Sequence, residues 1–210
     1  MFISFEGMDG SGKTTQVMRV IDELRSRGYD LLVTREPGGT EVGEQIRTIL
    51  MDKANTAMTA RAELLLFCAS RAQLVANVIR PHLEHGGIVI CDRYIDSSLA
   101  YQGYGHGLGA EAVQPVLDFV TGGLVPDLTI YLDVSPEVGL GRRAKGALKG
   151  EEFTRLDAMA TEFHQRVYAG YQEIGRRAGA RWQSVDAAQP PDSVFDAIIS
   201  LIEMRLAAGR

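Results

Sequence analysis

The sequence predicts an α/β fold in which one parallel sheet carries helices on both faces. Two observations predict it. Short apolar, strand-like runs recur along the 210 residues, separated by helix-length stretches, and that alternation is what parallel strands with crossover helices require. The first run also leads through a glycine-rich turn straight into an amphipathic stretch.

Phe2–Phe5 is the first β-prone run, and Gly7-Met8-Asp9-Gly10-Ser11-Gly12-Lys13-Thr14 follows it. From Lys13 to Arg27 the apolar residues Val17, Val20, Ile21 and Leu24 fall at helical spacing before Gly28, so a helix is expected there. Leu31–Thr34 reads as the second strand and Ala57–Leu83 as helical. Ile88–Cys91, inside a run with few polar breaks, is the third strand, buried on both sides. Gln102–Gly109 holds four glycines in eight residues and is expected to be a flexible loop. Ala110–Val120 is helical, Leu128–Leu132 is the fourth strand, and Pro136–Leu140 is a short helix. Gly141–Glu152 mixes glycines with Arg142, Arg143, Lys145 and Lys149, which reads as a short mobile basic lid inserted at about 141–153. Helices over Thr154–Ala178 and Asp192–Leu206 flank a last strand, Trp182–Val185. No linker divides the chain, so residues 1–210 are expected to form a single domain.

A hydrophobic content of 45% and a charged content of 23% are ordinary for a soluble protein. The net charge of −5 argues against coating nucleic acid. No signal peptide is expected ahead of the first strand, and no apolar run approaches the ~20 residues that span a bilayer. Cys68 and Cys91 lack metal-site spacing and sit in apolar segments, as reduced core thiols would. Together these features point to the cytoplasm.

The glycine turn fits G-x-x-x-x-G-K-S/T without a mismatch. Glycines at these offsets let backbone N–H groups turn inward around a polyphosphate, and the helix N-terminus adds partial positive charge. Lys13 can reach the β- and γ-phosphates, and the Thr14 hydroxyl can ligate Mg²⁺. A glycine-rich turn that only caps a helix is the bland alternative. Asp92, at the carboxyl end of a buried strand, fits a water-mediated Mg²⁺ partner, or else a helix cap.

A phosphate loop alone does not separate kinases from switches and motors. The Asn-Lys-x-Asp of guanine-reading switches is absent, and the chain has no room for a motor's added domains. A kinase must hold two polyanions together, and each pair of unit charges at ~4 Å costs about 4 kcal/mol at an effective dielectric of 20. Arg35, Arg47, Arg71 and Arg93 follow the central strands and can offset that repulsion. Any one of them taken alone would read as a solvated surface charge. Phe67 and Arg71 lie four residues apart, on one helix face. A base can stack on Phe67, and the donor-only Arg71 suits a base acceptor but not a base amino group; an ordinary aromatic–arginine helix pair is the alternative.

These residues resemble the bacterial thymidylate kinases. The similarity runs over Phe5–Thr15, the turn Thr34-Arg35-Glu36-Pro37-Gly38-Gly39-Thr40, Phe67–Arg71, Asp92–Gln102 and Pro126–Val134. The resemblance implies a phosphate-loop kinase fold of the nucleoside-monophosphate-kinase type and phosphoryl transfer from Mg²⁺-ATP to dTMP, in dTTP synthesis. It implies that Gly7 through Thr15 and Arg142 bind ATP. Glu36, Pro37, Arg47, Phe67, Arg71, Arg93, Ser97, Ser98, Tyr101 and Gln102 are implied to hold dTMP. By the same resemblance Tyr101 sits under the deoxyribose, leaving no space for a 2′-hydroxyl. Asp9 is implied to face the acceptor sugar and to orient the arginine that carries its phosphate. Asp9, Lys13, Arg93 and a lid cation are thus the catalytic candidates, and the resemblance also implies a homodimer.

The loop itself supplies no arginine, so the cation must come from the lid: Arg143 is favoured over Lys145, Lys149 and Arg155, with Arg142 against the adenine. Asp157 reads as a helper to Mg²⁺ or to an acceptor-side arginine, or equally as an exposed helix acid. The loop Val185–Pro190 is implied to border the adenine. The alternatives are another nucleoside-monophosphate or deoxynucleoside kinase on this scaffold, or a nucleotide-dependent switch. The density of acceptor-side residues argues against the switch.

Overall fold

The computed structural model describes residues 1–148 and 154–208. Its strands are β1 (Phe2–Glu6), β2 (Leu31–Arg35), β3 (Ile88–Asp92), β4 (Leu128–Asp133) and β5 (Trp182–Asp186). All five pair in parallel in the order β2-β3-β1-β4-β5. The five predicted runs are these strands, each extended by one residue at its carboxyl end. β1 has β3 on one side and β4 on the other, so a crevice opens at the carboxyl ends of the central strands.

Alternation along the strands builds two cores, one on each face of the sheet. Ile3, Phe5, Ile88, Ile90 and Ile130 pack with Val17, Val20 and Leu24 of α1 (Lys13–Ser26) and Ile198 and Ile202 of α9 (Pro191–Ala208). Phe2, Val89, Cys91 and Tyr131 face the other way, toward α3 (Ala60–Leu74), α6 (Ala110–Thr121) and α8 (Thr161–Ala178). Cys68 and Cys91 are free and buried, as expected.

Helix α2 (Glu41–Met51) is capped by Thr40, whose hydroxyl accepts from the Gly43 amide. Helix α3 runs on through a π turn, Val75–Ile79, into α4 (Arg80–Glu84). This continuous stretch corrects one expectation: by length and composition alone, Ala60–Glu84 is long and apolar enough to cross a membrane. Its Leu64, Cys68, Leu74, Val75 and Ile79 are spent in the core.

Three other expectations are corrected. The glycine-rich stretch Gln102–Gly109 is not an open loop over its first half. Helix α5 (Ile95–Ser98) continues as a π-helical segment, Leu99–Gly105, with Tyr101, Gln102 and Gly103 buried. Gly105 is there for close packing, since a Cβ on it would lie 2.7 Å from Phe163 and Val167. The predicted lid is helical at its start: α7 spans Pro136–Ala147, capped by Ser135. Lys149 and residues 150–153 fall outside the described residues. The helix expected from Thr154 begins only at Thr161, after a run of turns.

Candidate active site

At the carboxyl ends of β1 and β3 lies a cleft of about 760 Å³. Its floor is the glycine loop and the start of α1: Asp9, Gly10, Ser11, Gly12, Lys13, Thr14 and Thr15. Gly10 and Gly12 take φ of 77° and 90°, a region open to glycine but strained for other residues. Gly12 caps α1 without any side-chain acceptor, so the first amides of that helix remain for an anion. Lys13 is buried and its Nζ donates to the Gly7 carbonyl at 3.3 Å. Burial first, then Arg93, pushes its ammonium pKa down. Gly7 and Met8, also expected at the nucleotide, do not line the cleft. Met8 is 1% exposed and belongs to the core.

Asp9 links this floor to the second half of the cleft. Its carboxylate accepts from Arg93 Nη2 at 2.7 Å and from the Tyr101 hydroxyl at 2.9 Å. Burial would raise the Asp9 pKa, but Arg93 and then Lys13 outweigh it and hold the group well below the usual carboxylate range. Arg93 itself has a φ of 72° and packs its guanidinium 5.1 Å from the Tyr101 ring centroid. Its Nη1 donates to Ser97 Oγ at 3.1 Å and to the Tyr171 hydroxyl at 3.2 Å.

Beyond Arg93 the cleft is walled by Glu36, Pro37, Arg47, Phe67, Arg71, Ser97, Ser98, Tyr101 and Gln102, every acceptor residue the sequence singled out. Phe67 and Arg71 share one face of α3, and so does Glu63, four residues earlier. Arg71 is almost wholly buried: Nε donates to Glu36 at 2.7 Å, Nη1 to Ser98 Oγ at 3.0 Å and Nη2 to the Tyr94 carbonyl at 3.1 Å. The Ser97 and Ser98 hydroxyls are therefore engaged in holding the two arginines, a role the sequence did not suggest. Gln102 donates its amide to the buried Glu63 at 2.7 Å, leaving its carbonyl oxygen as the acceptor end. Arg47 donates to the Pro37 carbonyl at 3.2 Å, and Arg35 forms a paired contact with Glu44.

The lid candidates separate in space. Arg142 and Arg143 both line the cleft from α7. Arg142 donates to the Ala187 carbonyl at 3.0 Å, which sets it against the Val185–Pro190 loop. Arg143 makes a two-pronged contact with Asp157, Nε and Nη2 each at 2.9 Å. Asp157 is buried in the turn before α8 and also accepts from the Thr154 amide and hydroxyl, so it is not an exposed helix acid. Arg155 pairs with Glu63 and donates to the Leu50 carbonyl, and does not line the cleft. Lys145 is exposed and does not line the cleft.

Asp92 lines the cleft with a buried Oδ1 that has no hydrogen-bond partner. Among the described residues no group of three or more His, Cys, Asp or Glu side chains is placed to hold a metal. One orphaned carboxylate oxygen and the Thr14 hydroxyl fit Mg²⁺, which keeps waters and phosphate oxygens as its other ligands.

Sequence reasoning missed Glu6, Glu63 and Tyr171. Glu6 carried a weak signal, an acid ending an apolar strand; Tyr171 had none.

A parallel sheet in this order, a phosphate loop after its central strand and an arginine-lined second pocket in the same cleft define a nucleoside monophosphate kinase. The thymidylate kinase family model matches residues 5–198, and this chain belongs to that family. It is 47% identical to a thymidylate kinase of Roseiflexus sp. (strain RS-1), over 99% of this chain and 96% of that one. To a thymidylate kinase of Thermomicrobium roseum it is 49% identical, over 100% of this chain and 97% of that one. The crystal structure of thymidylate kinase from Ehrlichia chaffeensis superposes with a TM-score of 0.77 at 32% identity, covering 97% of this chain and 98% of that one.

Proposed function

We propose that this chain transfers the γ-phosphoryl group of Mg²⁺-ATP to the phosphate of dTMP, giving dTDP and ADP. The observation that carries the reading is the Asp9–Arg93–Tyr101 contact, which joins the phosphate loop to a pocket walled by Phe67 and Arg71. An acceptor phosphate oxygen attacks the γ-phosphorus in line. That oxygen is already largely ionised near pH 7, so no general base is needed. Lys13 holds the β- and γ-phosphates, and Arg93 spans donor and acceptor phosphates. Arg143 is the lid cation, steadied by Asp157; this choice is supported by its place in the cleft wall and by the removal of Arg155 to Glu63. Thr14 and Asp92 would hold Mg²⁺, which when bound neutralises charge on the β- and γ-oxygens.

Thymine would stack on Phe67, with Arg71 Nη1, which spends one N–H on Ser98, offering its other to O4. The Gln102 carbonyl would accept from N3–H, which cytosine lacks. A panel of dTMP, dUMP, dCMP, UMP and thymidine with Mg²⁺-ATP tests this directly. dTMP should lead, with dCMP far behind because Arg71 would leave its amino group unpaired. Equal turnover of dCMP would remove the assignment.

A homodimer is also proposed. Helices α2 and α6 flank α3, and Val42, Ile49, Leu65 and Phe119 stay exposed on these neighbours. The free buried cysteines suit a reducing cytoplasm.

A further inference from the structure

Glu6 ends β1 and is fully buried, yet the phosphate-transfer reading gives it no task. Its burial follows from the strand pleat: Phe2, Ser4 and Glu6 point to one face, the face covered by α5 and α8. Oε1 accepts from the Tyr94 amide at 2.8 Å. Oε2 accepts from Ser97 Oγ at 2.6 Å and from the Tyr171 hydroxyl at 3.0 Å.

These three donors bracket Arg93. The Tyr94 amide immediately follows it, and Arg93 is the only non-glycine residue with positive φ among the described residues. Ser97 and Tyr171 are the two hydroxyls that receive its Nη1. A hydroxyl has one proton to give, and a carboxylate has none. With Glu6 ionised, both hydroxyl protons turn to Oε2, and both oxygens present lone pairs to the guanidinium. An amide in its place has one acceptor oxygen and an NH2 group. Turned one way, the NH2 faces the Tyr94 amide, donor against donor. Turned the other way, it faces both hydroxyls, whose own protons must then leave that oxygen and turn toward the guanidinium.

We propose that Glu6 is a positioning residue for phosphoryl transfer. Its carboxylate holds the left-handed backbone of Arg93 through the Tyr94 amide, and aims the guanidinium through Ser97 and Tyr171. Asp9 fixes the other nitrogen, Nη2, so the two acids set the group from opposite ends. The inference rests on reading Arg93 as the bridge between donor and acceptor phosphates.

The test is a double-mutant cycle of Glu6→Gln and Arg93→Ala, followed by steady-state kinetics with ATP and dTMP. Glu6→Gln should lower kcat by about 10²-fold, the scale of a catalytic group misplaced by ~1 Å. KM for ATP should stay unchanged, and the double variant should be no slower than Arg93→Ala alone. Unchanged kcat in Glu6→Gln, or a fall that multiplies in the Arg93→Ala background, overturns the proposal. Full activity in Arg93→Ala would instead overturn the reading of Arg93, and the proposal with it. Should Glu6→Gln fail to fold, Tyr171→Phe replaces it: a smaller fall in kcat, absent in the Arg93→Ala background, is expected, and a multiplicative fall refutes the relay.

Discussion

Arg71 and Glu36 illustrate how much the role of a single residue depends on its burial. Read from sequence, Arg71 is a hydrogen-bond donor to a base; in the fold it is also half of an ion pair whose side chains are 1% and 2% exposed. Burial pushes the Glu36 carboxyl up, and Arg71 opposes that push. Breaking such a pair from one side leaves a buried charge uncompensated, at a cost of roughly 3–5 kcal/mol. Arg71→Ala should therefore lower stability by about that amount in urea titrations, as well as weakening dTMP, and adding Glu36→Gln should restore part of the stability but not the dTMP affinity. A variant as stable as the parent would show that the pair does not hold this wall.

Glu6 gives a second residue-scale prediction. Burial, then the neighbouring Asp96 carboxylate, pushes its carboxyl from the usual 4.5 up to about 7. The folded state thus binds this proton more tightly than the unfolded chain. The resulting stability is full below about pH 4.5 and is lost as pH rises through about 7, a difference on the order of 3 kcal/mol. Relative to the parent, Glu6→Gln should be more stable at pH 8 than at pH 5. Urea midpoints for the two proteins that shift in parallel between those pH values would sink it.

At the scale of elements, the phosphate loop and α7 are one unit. A Cβ on Gly10 would lie 2.1 Å from the Gly139 carbonyl oxygen and 3.2 Å from the Arg143 amide. The loop backbone therefore sits directly on the helix that carries Arg142 and Arg143, which fixes where those arginines start from. A Cβ on Gly12 meets nothing within 4 Å, although its φ is also positive. Gly10→Ala should accordingly destabilise the nucleotide-free protein more than Gly12→Ala, which bears only the ~1–2 kcal/mol of left-handed backbone strain. Thermal unfolding of the two variants side by side decides it; equal shifts would mean that the loop–helix contact contributes nothing. Glycine costs a helix about 1 kcal/mol against alanine, yet α7 runs past its predicted end at Leu140 through Gly141 and Gly146. Gly139, inside the predicted helix, lets the loop come close, since a Cβ on it would lie 2.9 Å from the Asp9 carbonyl oxygen.

For the whole molecule, the apolar residues left on α2, α3 and α6 bear on assembly. Leu65, 58% exposed, lies between the other two helices' exposed residues along the chain and in packing order. Leu65→Asp should convert a homodimer to a monomer by light scattering at micromolar concentration, with the fold intact by circular dichroism. A parent protein that is already monomeric would end the dimer proposal.

The five strands, α1, α6 and α9 were legible because their signals are local: period-two or period-3.6 apolar spacing, closed by glycine or proline. The phosphate loop was legible for the same reason, since its glycines, Lys13 and Thr14 are neighbours along the chain. Phe67 and Arg71 were paired by helical spacing alone. Residues 102–105 were misread because glycine count speaks for freedom, whereas Gly105 is required by Phe163 and Val167, side chains far along the chain. Tyr171 reaches Glu6 across 165 residues, and Arg93 reaches Asp9 across 84. The sequence alone thus determined the sheet, the loop and the family. Only the tertiary structure decided which hydroxyl faces which charge, because hydrogen bonds are set by atoms brought together from distant elements, and no local spacing encodes that meeting.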